Sequence, residues 1–288
     1  MRFLLEILVY GGVQSAVYAL LATGFCLILG VARVVNLAHT GFYMISAYMI
    51  YTFFSLLNLN LYISLVLSVV ITGFLAVLVM QFFVRPLIKS ETSVLVITIA
   101  LVMFFQEAIL STFGPVDRNL PNFIEDTYKL FGMVDVDAQR LLILIVAPLL
   151  IIGLLLFINH TKLGRAIQAV AQDSEGATLM GVNPDRIYLQ VIFISAVLAA
   201  VAGAFIAPTL GARPHMWDHP LGRVFAVVVL GGMGSVEGTI FAALIIGFIE
   251  VVVSFTLSSY LGDLVALAVL LLVLFVRPTG LMGKRVEA

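Results

Sequence analysis

Along the whole chain, apolar runs of helical length alternate with short polar breaks. The runs cover about 6–30, 37–57, 61–84, 92–113, 139–159, 187–207, 222–236, 238–257 and 260–276. Membrane-spanning strands would show short segments alternating apolar and polar, whereas 141–158 and 265–276 are continuously apolar, as in helices that cross a hydrocarbon layer. The pattern predicts an all-α fold, a polytopic transmembrane helix bundle of about eight or nine spans. The 222–236 run is short for a crossing of about 20 residues. It ends in the string LGGMGS, so a re-entrant half-helix lined by protein is a second reading of it. Small residues recur at spacing four, at Gly11, Ser15 and Ala19, at Ala199, Gly203 and Ala207, and at Ala243 and Gly247. Helices can approach closely there.

Composition sharpens the picture. Of 288 residues, 62% are hydrophobic and 11% charged, where soluble domains carry about 25% charged residues; mean hydropathy is +1.17. Apolar side chains at this density exceed what a water-facing globule can bury, and the surplus is stable only against lipid. A net charge of −1 supplies no basic patch, so no nucleic-acid partner is expected. The single cysteine, Cys26, excludes a disulfide framework and a thiolate metal cluster. Met1 and Arg2 precede a run that continues past Gly30 with no cleavage signal, which reads as a retained helix.

Basic residues predict the orientation. Arg33, Arg85, Lys89, Lys162, Arg165, Arg186, Arg277, Lys284 and Arg285 fall on one face and the remaining six of 15 on the other. The first set is expected in the cytoplasm, with the C-terminus. The opposite face receives the 114–138 segment, with Asp117, Glu125, Asp126, Asp135 and Asp137.

Residues 160–186, HTKLGRAIQAVAQDSEGATLMGVNPDR, form the longest polar stretch on the predicted cytoplasmic face. Ala166, Ile167, Ala169 and Val170 recur at helical spacing, and Ala177, Leu179 and Met180 do so before Gly181, with Asn183 and Pro184 closing the second piece. Two short amphipathic helices are predicted. Helices that merely cover the bundle end and a docking site for a cytoplasmic partner both fit this pattern.

Reactive chemistry is sparse. No GxxxxGK[ST] string occurs, so the chain lacks the loop that cradles nucleotide phosphates and is not expected to hydrolyse ATP. Four histidines and one cysteine, scattered as they are, make no nucleophile–base set and no metal site. His215 and His219 flank Trp217 and Asp218, but Pro214 and Pro220 argue for a loop; Trp217 reads as an interfacial anchor. The deep carboxylates are Glu107 and Glu250, with Glu6 and Glu237 nearer span ends, and the pattern offers no buried basic partner. In NLAHTG at 36–41, Asn36 is a competent N-cap, and His39 either bonds backbone carbonyls or forms a gate.

Four strings carry a resemblance: YALLATGFCLILGVARVVNLAHTGFYMISAY at 18–48, GRAIQAVAQDSEGATLMGVN at 164–183, VVVLGGMGSVEGT at 227–239 and RPTGLMG at 277–283. Together, in order and over nearly the whole length, they resemble the permeases of branched-chain amino acid ABC importers, specifically the smaller of the two paired subunits, the LivH family. The resemblance implies a second, unlike permease, two cytoplasmic ATPases that bind ATP and Mg, and an extracytoplasmic substrate-binding protein, in a bacterial or archaeal cytoplasmic membrane. It implies no cofactor on this chain. It further implies one permease domain over 1–288, whose 160–186 loop carries a coupling helix with Arg165, Ala169, Asp173, Glu175, Ala177 and Gly181 in the ATPase contact.

A zwitterion's path needs helix ends or polar groups at mid-depth. The candidates are the break at Asn36, His39, Thr40 and Gly41, the break at Gly231, Gly232, Gly234, Glu237 and Gly238, and then Gln14, Glu107 and Glu250. Thr40 stands where the family pattern NxAHG has its glycine, and Gly41 follows. Urea, short amides and other small polar solutes are alternative cargos within the family; a stand-alone channel or ion-coupled carrier is the rival class.

Overall fold

The computed structural model describes residues 2–88, 90–130, 132, 134–276 and 280–282. Lys89, Arg277, Lys284 and Arg285 of the orientation set, and most of the 277–283 string, lie outside them. The apolar runs fold as helices: α1 (Arg2–Ala32), α2 (His39–Tyr51), α3 (Leu61–Val79), α4 (Glu91–Phe113), α5 (Ala138–His160), α6 (Lys162–Gln172), α7 (Ser174–Leu179), α8 (Pro184–Leu210), α9 (Asp218–Gly231), α10 (Val236–Thr256) and α11 (Ser259–Val276). α2 and α3 continue as π-helical turns, Thr52–Leu56 and Met80–Val84. Six of these helices, α1, α3, α4, α5, α8 and α10, are long and apolar enough to cross a membrane. With α2, α9 and α11 they make nine apolar helices among the described residues.

Polar side chains define where the helices begin. Asn60, Ser90, Thr161, Asp173, Asn183 and Ser235 each accept a backbone N–H at a helix start, satisfying donors with no partner inside the helix. Asn36 differs from its expected capping role. Its Oδ1 accepts from the Ala38 N–H at 3.1 Å, while the residue preceding α2 is Ala38, which makes no side-chain cap. Asn36 thus closes a turn just ahead of the helix.

α1 is the hub. Of its most apolar window 83% is buried, against 22% for α4, and it packs on α10, α8, α5 and α9. Recurring small residues mark the α1–α10 crossing, where a Cβ on Gly247 would lie 2.7 Å from the Ser15 Cα, and the α2–α8 crossing, where one on Gly203 would overlap the Tyr43 carbonyl oxygen. Backbones meet there without side chains between them.

The two ends of the bundle differ. One carries a hairpin absent from the sequence reading, β1 (Thr127–Leu130) paired antiparallel with β2 (Val134–Asp137). Val134 and Val136 of β2 pack on Val9 of α1, while Asp135 points out and pairs with Lys129. This alternation is a strand's period of two. The other end carries α6 and α7.

α9 is short but does not turn back. Its 14 residues cover about 21 Å, and it ends beside α1, where Gly234 approaches Gly30. It begins inside the bundle because 212–217 enters unwound from the hairpin end: Trp217 Nε1 donates to Gln106 Oε1 at 2.7 Å, about 10 Å in from the end of α4.

Candidate functional site

The α6–α7 pair forms a shelf across one end. In α6, Gly164, Ile167 and Val170 are buried, with Lys162, Arg165 and Gln172 exposed opposite. Asp173 Oδ1 caps α7 by accepting the Glu175 N–H at 3.0 Å, and Gly181 leaves the helix at φ +85°, a conformation suited to glycine. Of the six residues expected to contact an ATPase, Arg165, Asp173, Glu175 and Gly181 are exposed, Ala169 is half-buried, and Ala177 is buried against the bundle.

The most prominent apolar groups on the shelf were not in that set. Leu179 and Met180 are 88% and 85% exposed. The apolar spacing grouped them with Ala177 in one amphipathic helix, but Leu179 lies roughly 200° around the helix from Ala177, and Met180 follows the last turn. Two large apolar residues in a polar loop beside a glycine were the available signal.

The break at 33–41 reaches deep into the bundle. Arg33, at φ +52°, ends α1, and the chain then runs back inward so that α2 starts about 16 Å along α1 from its end. There the fully buried His39 Nε2 donates to the Leu21 carbonyl at 3.0 Å. A carbonyl needs a donor, so the proton is on Nε2. Ser195 Oγ lies 3.3 Å from His39 Nδ1 and donates to the Gly24 carbonyl. Asn36 and Thr40 are buried as well, and a Cβ on Gly41 would meet Val102 at 2.9 Å. This break joins α1, α2, α4 and α8 inside the chain.

The break at 231–238 is not at mid-depth, which corrects the sequence reading. It lies at the shelf end, where four pieces of backbone converge. Gly232 and Gly234 have φ of +102° and +85°, a Cβ on Gly30 would meet the Gly234 Cα at 3.2 Å, and the Leu281 and Met282 N–H groups donate to the carbonyls of Leu230 and Gly231. Gly231, Gly232 and Gly238 are buried; Gly234 and Glu237 are exposed.

Mid-depth polarity lies elsewhere. Contrary to expectation, Glu250 has a buried basic partner: Arg223 Nε donates to Oε1 and Oε2, both at 3.1 Å. Tyr18 donates to Oε2 at 2.8 Å, and Arg223 also donates to the His219 carbonyl at 2.7 Å. Gln14 lies one turn before Tyr18 on α1. Arg223 and Glu250 are only 7% and 8% exposed. The sequence reading put Arg223 on the outer flank; because α9 starts inside the bundle, it occupies the second helical turn instead. Charges removed from lipid and water are stable only when paired in this way. Glu107, by contrast, is exposed on α4, with its Oε1 accepting from Gln106 Nε2 at 3.2 Å.

Comparison with known proteins agrees with this architecture. The family described as "Branched-chain amino acid transport system / permease component" matches residues 7–274. The chain is similar to the high-affinity branched-chain amino acid transport system permease protein LivH of Escherichia coli, 30% identical over 98% of this chain and 96% of the relative. It is also similar to the permease protein LivM of the same organism, 27% identical over 81% and 60% respectively. Among solved structures, PsaBC from Streptococcus pneumoniae in complex with Fab shares the fold, with a TM-score of 0.53 at 15% identity over 95% of this chain and 92% of that one. With nine apolar helices and a family match over almost its entire length, this multi-pass membrane protein belongs to the branched-chain amino acid transport permease family.

Proposed function

We propose that the chain is one of two unlike permeases of an ATP-driven importer whose cargo, branched-chain aliphatic amino acids, crosses between them. The observation that carries this reading is the exposed pair Leu179 and Met180 on a capped helix at one end of the bundle. Apolar groups held out this far call for a covering partner. That partner is a cytoplasmic ATPase, one per permease, which keeps ATP and Mg to itself. Arg165, Glu175 and Gly181 border the contact, while Ala177 anchors α7 to the bundle.

The shelf end, with the C-terminus, then faces the cytoplasm of a bacterial or archaeal cell, and the hairpin end meets the substrate-binding protein. Closure of the ATPases pushes the shelf, and the bundle alternates between outward- and inward-open states. Amino acids as cargo follow from the names of the relatives, and the mild polarity of the interior suits a small zwitterion.

The test is gentle solubilisation of the tagged chain and identification of what copurifies, followed by ATP hydrolysis with the binding protein and L-leucine, L-valine, urea or a short amide. A second permease, two ATPases and stimulation by leucine or valine are expected. Purification of the chain alone, with transport in liposomes without ATP, would overturn the reading.

A further inference from the structure

The long, weakly buried helices present different faces outward. On α3 the hydroxyls of Ser64, Ser68 and Thr72 are all buried, and the exposed positions from 63 to 78 are apolar. On α5 every exposed position from 145 to 156 is apolar. These are faces for lipid.

α4 breaks the rule. It is the least buried of the six long spans, and among its exposed Leu95, Val96, Ala100, Met103, Phe104 and Ala108 stands the carboxylate of Glu107, with Ser111 and Thr112 in the last turn. Glu107 sits about 9 Å inside the end of the helix, within the hydrocarbon depth. A carboxylate facing lipid there is unfavourable, and no cation lies within ion-pair distance of it among the described residues. Its position is fixed: Trp217 at the start of α9 holds Gln106, which in turn donates to Glu107. Asp218, His219 and Gly222 of α9 are also exposed.

We infer that the exposed face of α4, with the first turns of α9, is the wall of the aqueous path shared with the second permease, and that Glu107 receives the cargo's ammonium group. The inference rests on the importer reading above. A carboxylate in a partly desolvated wall attracts a primary ammonium strongly, while Ala100, Met103 and Phe104 offer an apolar surface to an aliphatic side chain. The buried Arg223–Glu250 pair is already satisfied within the chain, which leaves Glu107, in the outer part of α4, as the exposed acid open to a mobile cation.

The experiment uses the whole complex. Cys26, the single cysteine of this chain, is buried, so introduced thiols report alone on this subunit once labelling is read on its separated band. Ala100→Cys, Met103→Cys and Glu107→Cys are expected to react with a charged, membrane-impermeant thiol reagent. Ile145→Cys and Ile152→Cys on α5 are expected to stay inert, and L-leucine with its binding protein to protect Glu107→Cys. Glu107→Gln should lower leucine uptake about tenfold or more, the loss of one charge-assisted hydrogen bond, with Glu107→Asp recovering much of it. Equal inertness of the α4 and α5 thiols, or full uptake with Glu107→Gln, would overturn the proposal. So would loss of the second permease from purified Glu107→Gln together with an unreactive Glu107→Cys, since Glu107 would then pair with a cation of that subunit. If the unaltered complex shows no leucine-stimulated ATP hydrolysis, the importer reading fails, whereas the labelling pattern still reports whether α4 faces water.

Discussion

Arg223 and Glu250 stabilise each other inside the bundle. Removing one partner leaves a buried charge, so Arg223→Ala and Glu250→Ala should each cost about 3–5 kcal/mol, read as a lowered Tm of the solubilised protein. Replacing both by leucine should cost less than either single change; a double variant as unstable as the sum would show that the two do not act as a pair. Tyr18→Phe removes one hydrogen bond to the carboxylate and should cost about 1.5–3 kcal/mol. This cluster was half legible in the sequence. Glu250 stood out as a charge in an apolar run, but Arg223, next to a predicted span boundary, looked like an ordinary flanking cation. Single residues near boundaries are misread in this way because periodicity fixes a helix's existence better than its ends. His39 shows the opposite limit: its residue type allowed a gate or a backbone ligand, and only the position of the Leu21 carbonyl distinguishes a structural link.

At the scale of elements, the spans were legible because lipid demands long apolar helices and little else produces them. The hairpin was not: four-residue strands leave too short an alternation to register, and its acidic surroundings masked Val134 and Val136. The shelf was legible as two helices, but its direction was not, since a helix of six residues has too few positions to define a face. Its chemistry gives two predictions. Leu179→Ser with Met180→Ser should reduce ATPase recovery on a tagged permease while leaving the bundle inserted; unchanged recovery would remove the docking assignment. Gly181→Pro forces φ from +85° to about −65°, and Glu175→Lys reverses an exposed charge. Both should uncouple ATP hydrolysis from transport, as measured by leucine uptake per ATP hydrolysed, and retained coupling in both would remove the lever role of α7.

For the whole molecule, orientation is the property most open to a direct check. Protease sites placed in the 160–186 loop should be cut in inside-out vesicles and those in the 114–137 segment in right-side-out vesicles, with the reverse pattern inverting the proposed topology. The sequence reading named Glu107 and Glu250 together as path candidates, because exposure to a partner, to lipid and to water look alike in one dimension. Glu107 and Glu250 were equivalent as letters; their burial separates them.

The glycines at the shelf end have a mechanical meaning. Gly30, Gly231, Gly234 and Gly238 let α1, α9, α10 and residues 280–282 touch through bare backbone, a contact with no rotamers to yield. Toward the opposite end α9 is held through side chains instead, Trp217 on Gln106 and, in its second turn, Arg223 on Glu250. Under the importer reading, a push on the shelf therefore meets a contact that transmits it without side-chain rearrangement, and α9 carries it about 21 Å to where the helix meets α4.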